Sequence, residues 1–506
     1  MNPTNVYALL YLSQNERDIN KLEASMQHAR RAIELDPRNG DGWLSIGATE
    51  EKLKHGEAAE AAYKKAVEAA PNNYLTWQAL ARMAADYTTA REAASKAMAL
   101  APQEDYPQAL VGRLEQKFKK YDEAIATYKE VLKKFPENET AANGLHETLL
   151  AAGRGEEAEA YFRDMTMARP ASAPAWQMLG QTRLNRKEYP EAKEAFLTVL
   201  KLKPKESKAL LCLGQLYVEG LAPQRPLVPG GVLDPEFQKS GREAETVIRE
   251  AIEIEPRLPY SHALLCKALF YQGRFEEAEV EGKKGVELNG EMAQTWGALA
   301  AFYYAAQRYR EAKGAYEKCV RLEPDNLQSW HGMVVSYKLE NDLTTCESKL
   351  RELVEQYPGA WAAWHFLGAI LGEQGKNEEA VGNYMKAIEL SKEDYLSWNG
   401  LGLLHSRKQE LEKADECYRK ALQIRPGFAE AWSNLGYSYF RQEKTAEAID
   451  AYQHALQTEP AHINALVNLA QAAAKIGDLE LARKACDRLA AVNPVISERT
   501  RQRFLK

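Results

Sequence analysis

The stretch AEAWSNLGYSYFRQEKTAEAIDAYQHALQTEPAH, residues 429–462, decides how this chain reads. Trp432, Leu435, Gly436 and Tyr439 fall at i, i+3, i+4 and i+7, so they share one face of a helix. After a polar break, Ala448, Tyr452 and Ala455 mark a second helix in the same way. Pro460 then stops the unit, because proline has no backbone N–H to donate and its ring clashes with the preceding turn. The segment is a helical hairpin. One hairpin cannot cover both of its apolar faces, so it needs neighbours of its own kind.

The chain supplies them. Trp43, Trp77, Trp176, Trp296, Trp330, Trp364, Trp398 and Trp432 lie 34 residues or near multiples of 34 apart. Stops keep the same beat at Pro37, Pro71, Pro102, Pro136, Pro170, Pro204, Pro256, Pro324, Pro358, Pro426, Pro460 and Pro494, with Gly290 and Lys392 filling two positions. Fourteen stops imply fourteen repeats, and every spacing is 34 except 31 before Pro102 and 52 before Pro256. Let phase 1 be the residue three before each Trp. Small residues recur at phases 8, 20 and 27 (Gly47, Ala59, Ala66; Gly436, Ala448, Ala455), where helices approach closely. Large ones at phases 4, 7, 11 and 24 fill the space between hairpins. The Trp ladder shares its helical face with these positions and is read as packing.

This pattern, Trp–Leu–Gly–Tyr followed by Ala–Tyr/Phe–Ala–Pro, resembles the tetratricopeptide repeat over residues 6–496. The resemblance implies an all-α fold, a right-handed α-solenoid superhelix of about 14 hairpins. It also implies that the first helices line a concave groove holding extended or helical segments of partner proteins. The first repeat (Val6 to Asn39), the fifth (around Phe162) and the eighth (around Phe275) depart from the pattern. Leu9, Ala142, Gly282 and Gly285 occupy its aromatic or small slots, and looser packing is expected there. Chaperone-binding members recognise a terminal carboxylate through Lys and Asn in successive repeats, a combination missing here. The array of O-linked N-acetylglucosamine transferase carries Asn at phase 6 of nearly every repeat, whereas here only Asn434 and Asn468 do. The resemblance stops at the superfamily.

The organisation follows from the frame. Residues 1–220 are the N-terminal part of the array and residues 221–238 a Pro/Gly-rich insertion inside repeat seven. Residues 239–494 are the C-terminal part and 495–506 a short cap. The insertion is read first as a passive loop and second as a docking strip through Leu227, Val228, Leu233 and Phe237. The second helix of repeat seven is expected to resume by Ala244. The short cap suggests that a partner or a second copy covers one end of the array.

Composition limits the function classes. The chain of 506 residues has 66 basic and 72 acidic side chains and a net charge of -6, without the basic stripe that phosphates require. The start lacks a basic-then-apolar signal, and no apolar run is long enough to span a membrane, so a cytoplasmic protein is expected. The cysteines at 212, 266, 319, 346, 417 and 486 form no CxxC pair and show no zinc-ligand spacing, so no metal and no cofactor is expected. Phosphate loops, HExxH and GxSxG are missing, and the chain is read as non-enzymatic.

Binding remains. Phases 2, 5, 9 and 12 are the first-helix positions that core packing does not consume. They give Arg82, Arg113, Gln181 and Gln215 in the first half, then Lys267, Phe270, Tyr304, His331, His365, Tyr437 and Phe440 in the second. The leading reading is a scaffold that binds one or more proteins and assembles a multiprotein complex. The alternative is the recognition subunit of an enzyme whose catalytic chain, a transferase, nuclease or protease, is separate. RNA binding is the least favoured, because the groove cations are few and dispersed.

Overall fold

The computed structural model describes residues 5–220 and 235–505, and among them the chain forms twenty-nine α-helices and no strand. Numbered in chain order, odd helices α1 to α27 open the fourteen hairpins and even helices α2 to α28 close them; α29 (Pro494–Phe504) follows. Each opening helix starts at phase 1, and each closing helix except α6 and α14 starts 16 residues later. The hairpin tips explain this regularity. Among the described residues twelve have positive φ, eight of them not glycine, and all stand at phase 15. In repeat two, Lys54 takes that left-handed conformation (φ 64). Its N–H bonds to Glu51 O at 3.0 Å and that of His55 to Glu50 O at 3.0 Å, the paired bonds that close a helix C-terminus.

Both irregular spacings fall at this tip. In repeat three α5 (Tyr74–Met83) ends a turn early and Ala84 is extended. Asp86 then caps α6 (Tyr87–Leu100) by accepting from Thr89 N at 2.8 Å. In repeat seven α13 (Ser207–Gln215) runs into a π-helical turn, Leu216–Gly220. Helix α14 then covers Pro235–Ile254, nine residues earlier than the expected start at Ala244. Proline is well suited to this first position, where its missing N–H has no intrahelical partner to lose. Residues 235–238, read as loop, are therefore helix, while Leu227, Val228 and Leu233 lie outside the described residues.

The 34-residue beat of Trp and stop residue is one contact. Seven indole N–H groups donate to the stop carbonyl six residues before them, among them Trp77 to Pro71 O at 2.7 Å and Trp432 to Pro426 O at 2.8 Å. Trp330 is fully buried and the other six of these are half-buried, so each indole packs and ties its helix to the preceding turn. The small slot at phase 8 has an equally local cause. A Cβ on Gly47 would sit 2.4 Å from the Tyr63 ring, and one on Gly436 2.7 Å from Tyr452.

The chain divides into two compact units, Met1–Ala222 with Glu243–Pro256, and Pro223–Arg242 with Arg257–Lys506. In the first unit, repeat one substitutes hydrogen bonds for close apolar contact. Ser13 Oγ lies 3.0 Å from Ser25 Oγ and 2.8 Å from Ser45 Oγ, and Ser25 Oγ lies 3.1 Å from Thr49 Oγ1. All four are buried. In repeat five Leu145, Leu149 and Phe162 are fully buried. In the second unit α15 (Pro259–Tyr271) buries nine residues, Ser261–Phe270 except Lys267. The opening helices of repeats five and eight bury seven and nine residues, whereas α1 of repeat one buries only Leu9 and Ser13. No described helix is long and apolar enough to cross a membrane.

Candidate partner-binding groove

In the first unit the opening helices of repeats one to three line a groove of about 490 Å³. Helix α1 (Val6–Asp18) contributes Tyr7, Tyr11 and Arg17, and α3 (Gly40–Lys52) contributes Asp41 and Leu44; Arg82 comes from α5. Tyr7 is 77% and Tyr11 65% exposed. Glu51 collects the polar groups at one wall. Tyr63 donates to it through its hydroxyl at 2.9 Å, and Arg82 through two N–H bonds of 2.8 Å each. Burial and then the Glu51 charge hold the Tyr63 phenol well above its ordinary pKa. The Arg82 charge, placed in the groove by the sequence, is thus answered within the array.

Further along this unit Arg113 is exposed, and Gln181 and Gln215 are half-buried. Gln181 accepts from Cys212 Sγ at 3.2 Å and Gln215 donates to Glu219 at 2.9 Å. In the second unit Lys267 is half-buried, His331 exposed and Tyr304 half-buried with its ring 5.8 Å from Tyr309. Tyr437 is 41% exposed, with the Arg441 guanidinium 5.8 Å from its ring centre. Phe440 is half-buried under the Lys475 ammonium at 4.9 Å. Such cation–π pairs stabilise the rings without covering them fully.

Three expected binding residues are core. Phe270 is 7% exposed because Phe302 of the next repeat meets it edge-on at 6.0 Å. His365 is 9% exposed, lies 4.9 Å from the Phe366 ring and has Nδ1 2.9 Å from Ser397 Oγ. Burial moves its pKa down to about 4. Phe237, expected in a docking loop, is 6% exposed in α14 and packs on Tyr271 at 5.1 Å. The reading of the sequence also missed Tyr7, Tyr11 and Arg17. Tyr7 and Arg17 occupy phases 2 and 12, two of the four binding phases, of a repeat that departs from the pattern at Leu9.

The Ser397–His365 pair has the spacing of a nucleophile and base, but Ser397 is fully buried and no substrate reaches it. Burial lifts the thiols of Cys212 and Cys417 to about 11, and those of Cys266, Cys319 and Cys346 to about 12. Thiols in that range hold almost no thiolate at neutral pH. Among the described residues no three His, Cys, Asp or Glu side chains gather as a metal site. What the surface offers is aromatic rings, guanidinium groups and carboxamides along successive helices.

The fold defines an array of helical-hairpin repeats. Tetratricopeptide-repeat profiles match residues 12–74, 113–184, 173–206, 293–326, 362–394, 407–443 and 429–462. The chain belongs to the tetratricopeptide-repeat family. It is 32% identical over 63 residues to human Superkiller complex protein 3, a match spanning 12% of this chain and 4% of that protein. Among solved structures it is similar to the APC/C hetero-tetramer Cut9–Hcn1, with a TM-score of 0.39 and 16% identity over 99% of this chain and 97% of that one. It is also similar to yeast Tom70, with a TM-score of 0.43 and 15% identity over 98% of each chain.

Proposed function

We propose that this chain is a non-catalytic protein-interaction scaffold whose opening helices hold extended or helical segments of partner proteins and gather them into a complex. One observation carries the reading. Tyr7, Tyr11 and Tyr437 stand exposed on opening helices, while Leu9, Ala29 and Ala32 of the first of these hairpins and Ala448, Tyr452 and Ala455 of the other are buried. Large aromatic side chains left in water are the usual anchors of a protein interface. The name of the human relative, a complex component, agrees with the assembly reading.

The test is affinity purification of the tagged full chain with mass spectrometry, alongside Tyr437→Ala, Tyr11→Ala and Met385→Ala. Met385 is 50% exposed on the closing helix α22 (Asn377–Leu390) and serves as the control. A stoichiometric partner that one of the tyrosine variants loses and Met385→Ala keeps is the expected result. Partners indifferent to both tyrosines, or none, would overturn the reading.

A further inference from the structure

We propose that the groove of repeats one to three receives an extended segment of a partner protein that sets an acidic side chain on Arg17 and apolar side chains against Tyr7 and Tyr11. The proposal rests on the scaffold reading and names one of its binding sites.

The charges carry it. Arg82 is neutralised by Glu51 through its two N–H bonds. Arg17, half-buried in the same groove, has no such partner. Its Nη1 donates only to the neutral oxygens of Ser45, Oγ at 3.0 Å and the carbonyl at 3.3 Å. Lys52 Nζ donates to the Arg17 carbonyl at 2.7 Å and adds a second cation at that end of α1. Asp41, exposed one turn from Ser45 on α3, is the remaining carboxylate and makes no ion pair. Of the charged side chains that line the groove, Arg17, Arg82 and Asp41, only Arg82 is paired, and its partner Glu51 is committed to it. A carboxylate arriving at Arg17 would form the charge-assisted bonds that the neutral Ser45 oxygens cannot equal.

The guanidinium is also held in place before anything binds. Ser45 belongs to the buried hydroxyl cluster with Ser13, Ser25 and Thr49, so the atoms that orient Arg17 are fixed. A receptor group already immobilised loses little further entropy on binding. Beside it the half-buried Leu10 and Leu44 form an apolar floor under the two exposed tyrosine rings. A polynucleotide would find rings to stack on here, but its phosphates come in series and need a row of cations. Glu51 and Asp41 interrupt any such row. One uncommitted guanidinium between apolar surfaces selects a single carboxylate in a peptide.

The test is a selection of random twelve-residue peptides on the immobilised full chain, followed by fluorescence anisotropy of the chosen sequences. The expected peptides share an Asp or Glu flanked by apolar residues. Arg17→Gln is expected to weaken them about tenfold or more, the scale of one lost charge-assisted pair. Asp41→Asn is expected to leave them unchanged or tighter. Tyr11→Ala, at a side chain too exposed to support the fold, is expected to weaken them as well. Peptides without an acid, or bound equally by Arg17→Gln, would overturn the proposal. So would a twelve-nucleotide single-stranded RNA that displaces them at 150 mM salt. Acidic peptides lost with Tyr437→Ala but not Tyr11→Ala would move the site and keep the scaffold reading. No selected peptide at all would count against both.

Discussion

Lowering the pH from 7.5 to 5 is expected to weaken the first unit at one identifiable side chain. His146, on α9 (Glu139–Ala151), is 5% exposed, and its buried Nε2 has no hydrogen-bond partner. Its ring lies 6.3 Å from the Phe162 ring. Burial alone lowers its pKa from 6.5 to about 4. At pH 7.5 both folded and unfolded chains keep the imidazole neutral. Between pH 6.5 and 4 the unfolded chain binds the proton that the folded one refuses, so stability falls as the pH falls. At pH 5 the difference amounts to about 2 kcal/mol, from RT of about 0.59 kcal/mol and proton occupancies of roughly 0.97 and 0.09. His146→Leu removes the site and keeps an apolar filler. The assay is urea denaturation of both proteins at pH 7.5 and 5, followed by circular dichroism. The wild type should lose about 2 kcal/mol more than the variant, since all other titrating groups cancel in the comparison. Parallel pH dependence of the two proteins would refute the burial argument. His365 in the second unit, also near 4, makes the same prediction there.

Three further outcomes follow from the packing. Gly436→Val should destabilise repeat thirteen by about 1–3 kcal/mol, because the new branches meet the Tyr452 ring. Adding Tyr452→Ala should give less than the sum of the two single losses in thermal melts. Trp432→Phe keeps the ring but removes the 2.8 Å bond to Pro426 O, and should cost about 1 kcal/mol in urea titrations. At His462, bonded through Nε2 to Glu430 at 3.0 Å, the pKa is raised, first by that bond. Its contribution is complete below pH 6.5 and lost as the pH rises through the raised value, so proton NMR of His462→Gln and wild type should show repeats thirteen and fourteen diverging only on the acidic side.

The repeat frame was legible because each of its marks is a short-range contact. Trp binds a carbonyl six residues back, the phase-8 glycine meets an aromatic 16 residues on, and the phase-15 turn closes on its own helix. Contacts of that reach repeat with the sequence, and helix starts followed from them. The insertion escaped the frame because Pro235 opens a helix where the repeat has no position for one.

The groove was less legible because exposure at phases 5 and 12 is decided by the next repeat. Phe270 is covered by Phe302, 32 residues on, and His365 is bonded to Ser397, also 32 residues on. Tyr304 and Phe440 share the phase of Phe270 yet stay half-buried, because different neighbours face them. Phase 9 behaves differently: none of Arg82, Arg113, Gln181, Gln215, Lys267 and Tyr437 is fully buried. Arg82 and Gln181 reach a neighbouring repeat through polar bonds, to Glu51 and from Cys212, rather than through apolar packing. Substitutions confined to phase 9 should therefore change what the array binds while leaving its melting temperature within the small range typical of surface positions. A phase-9 alanine in several repeats at once that unfolded either unit would show that this face, too, belongs to the core.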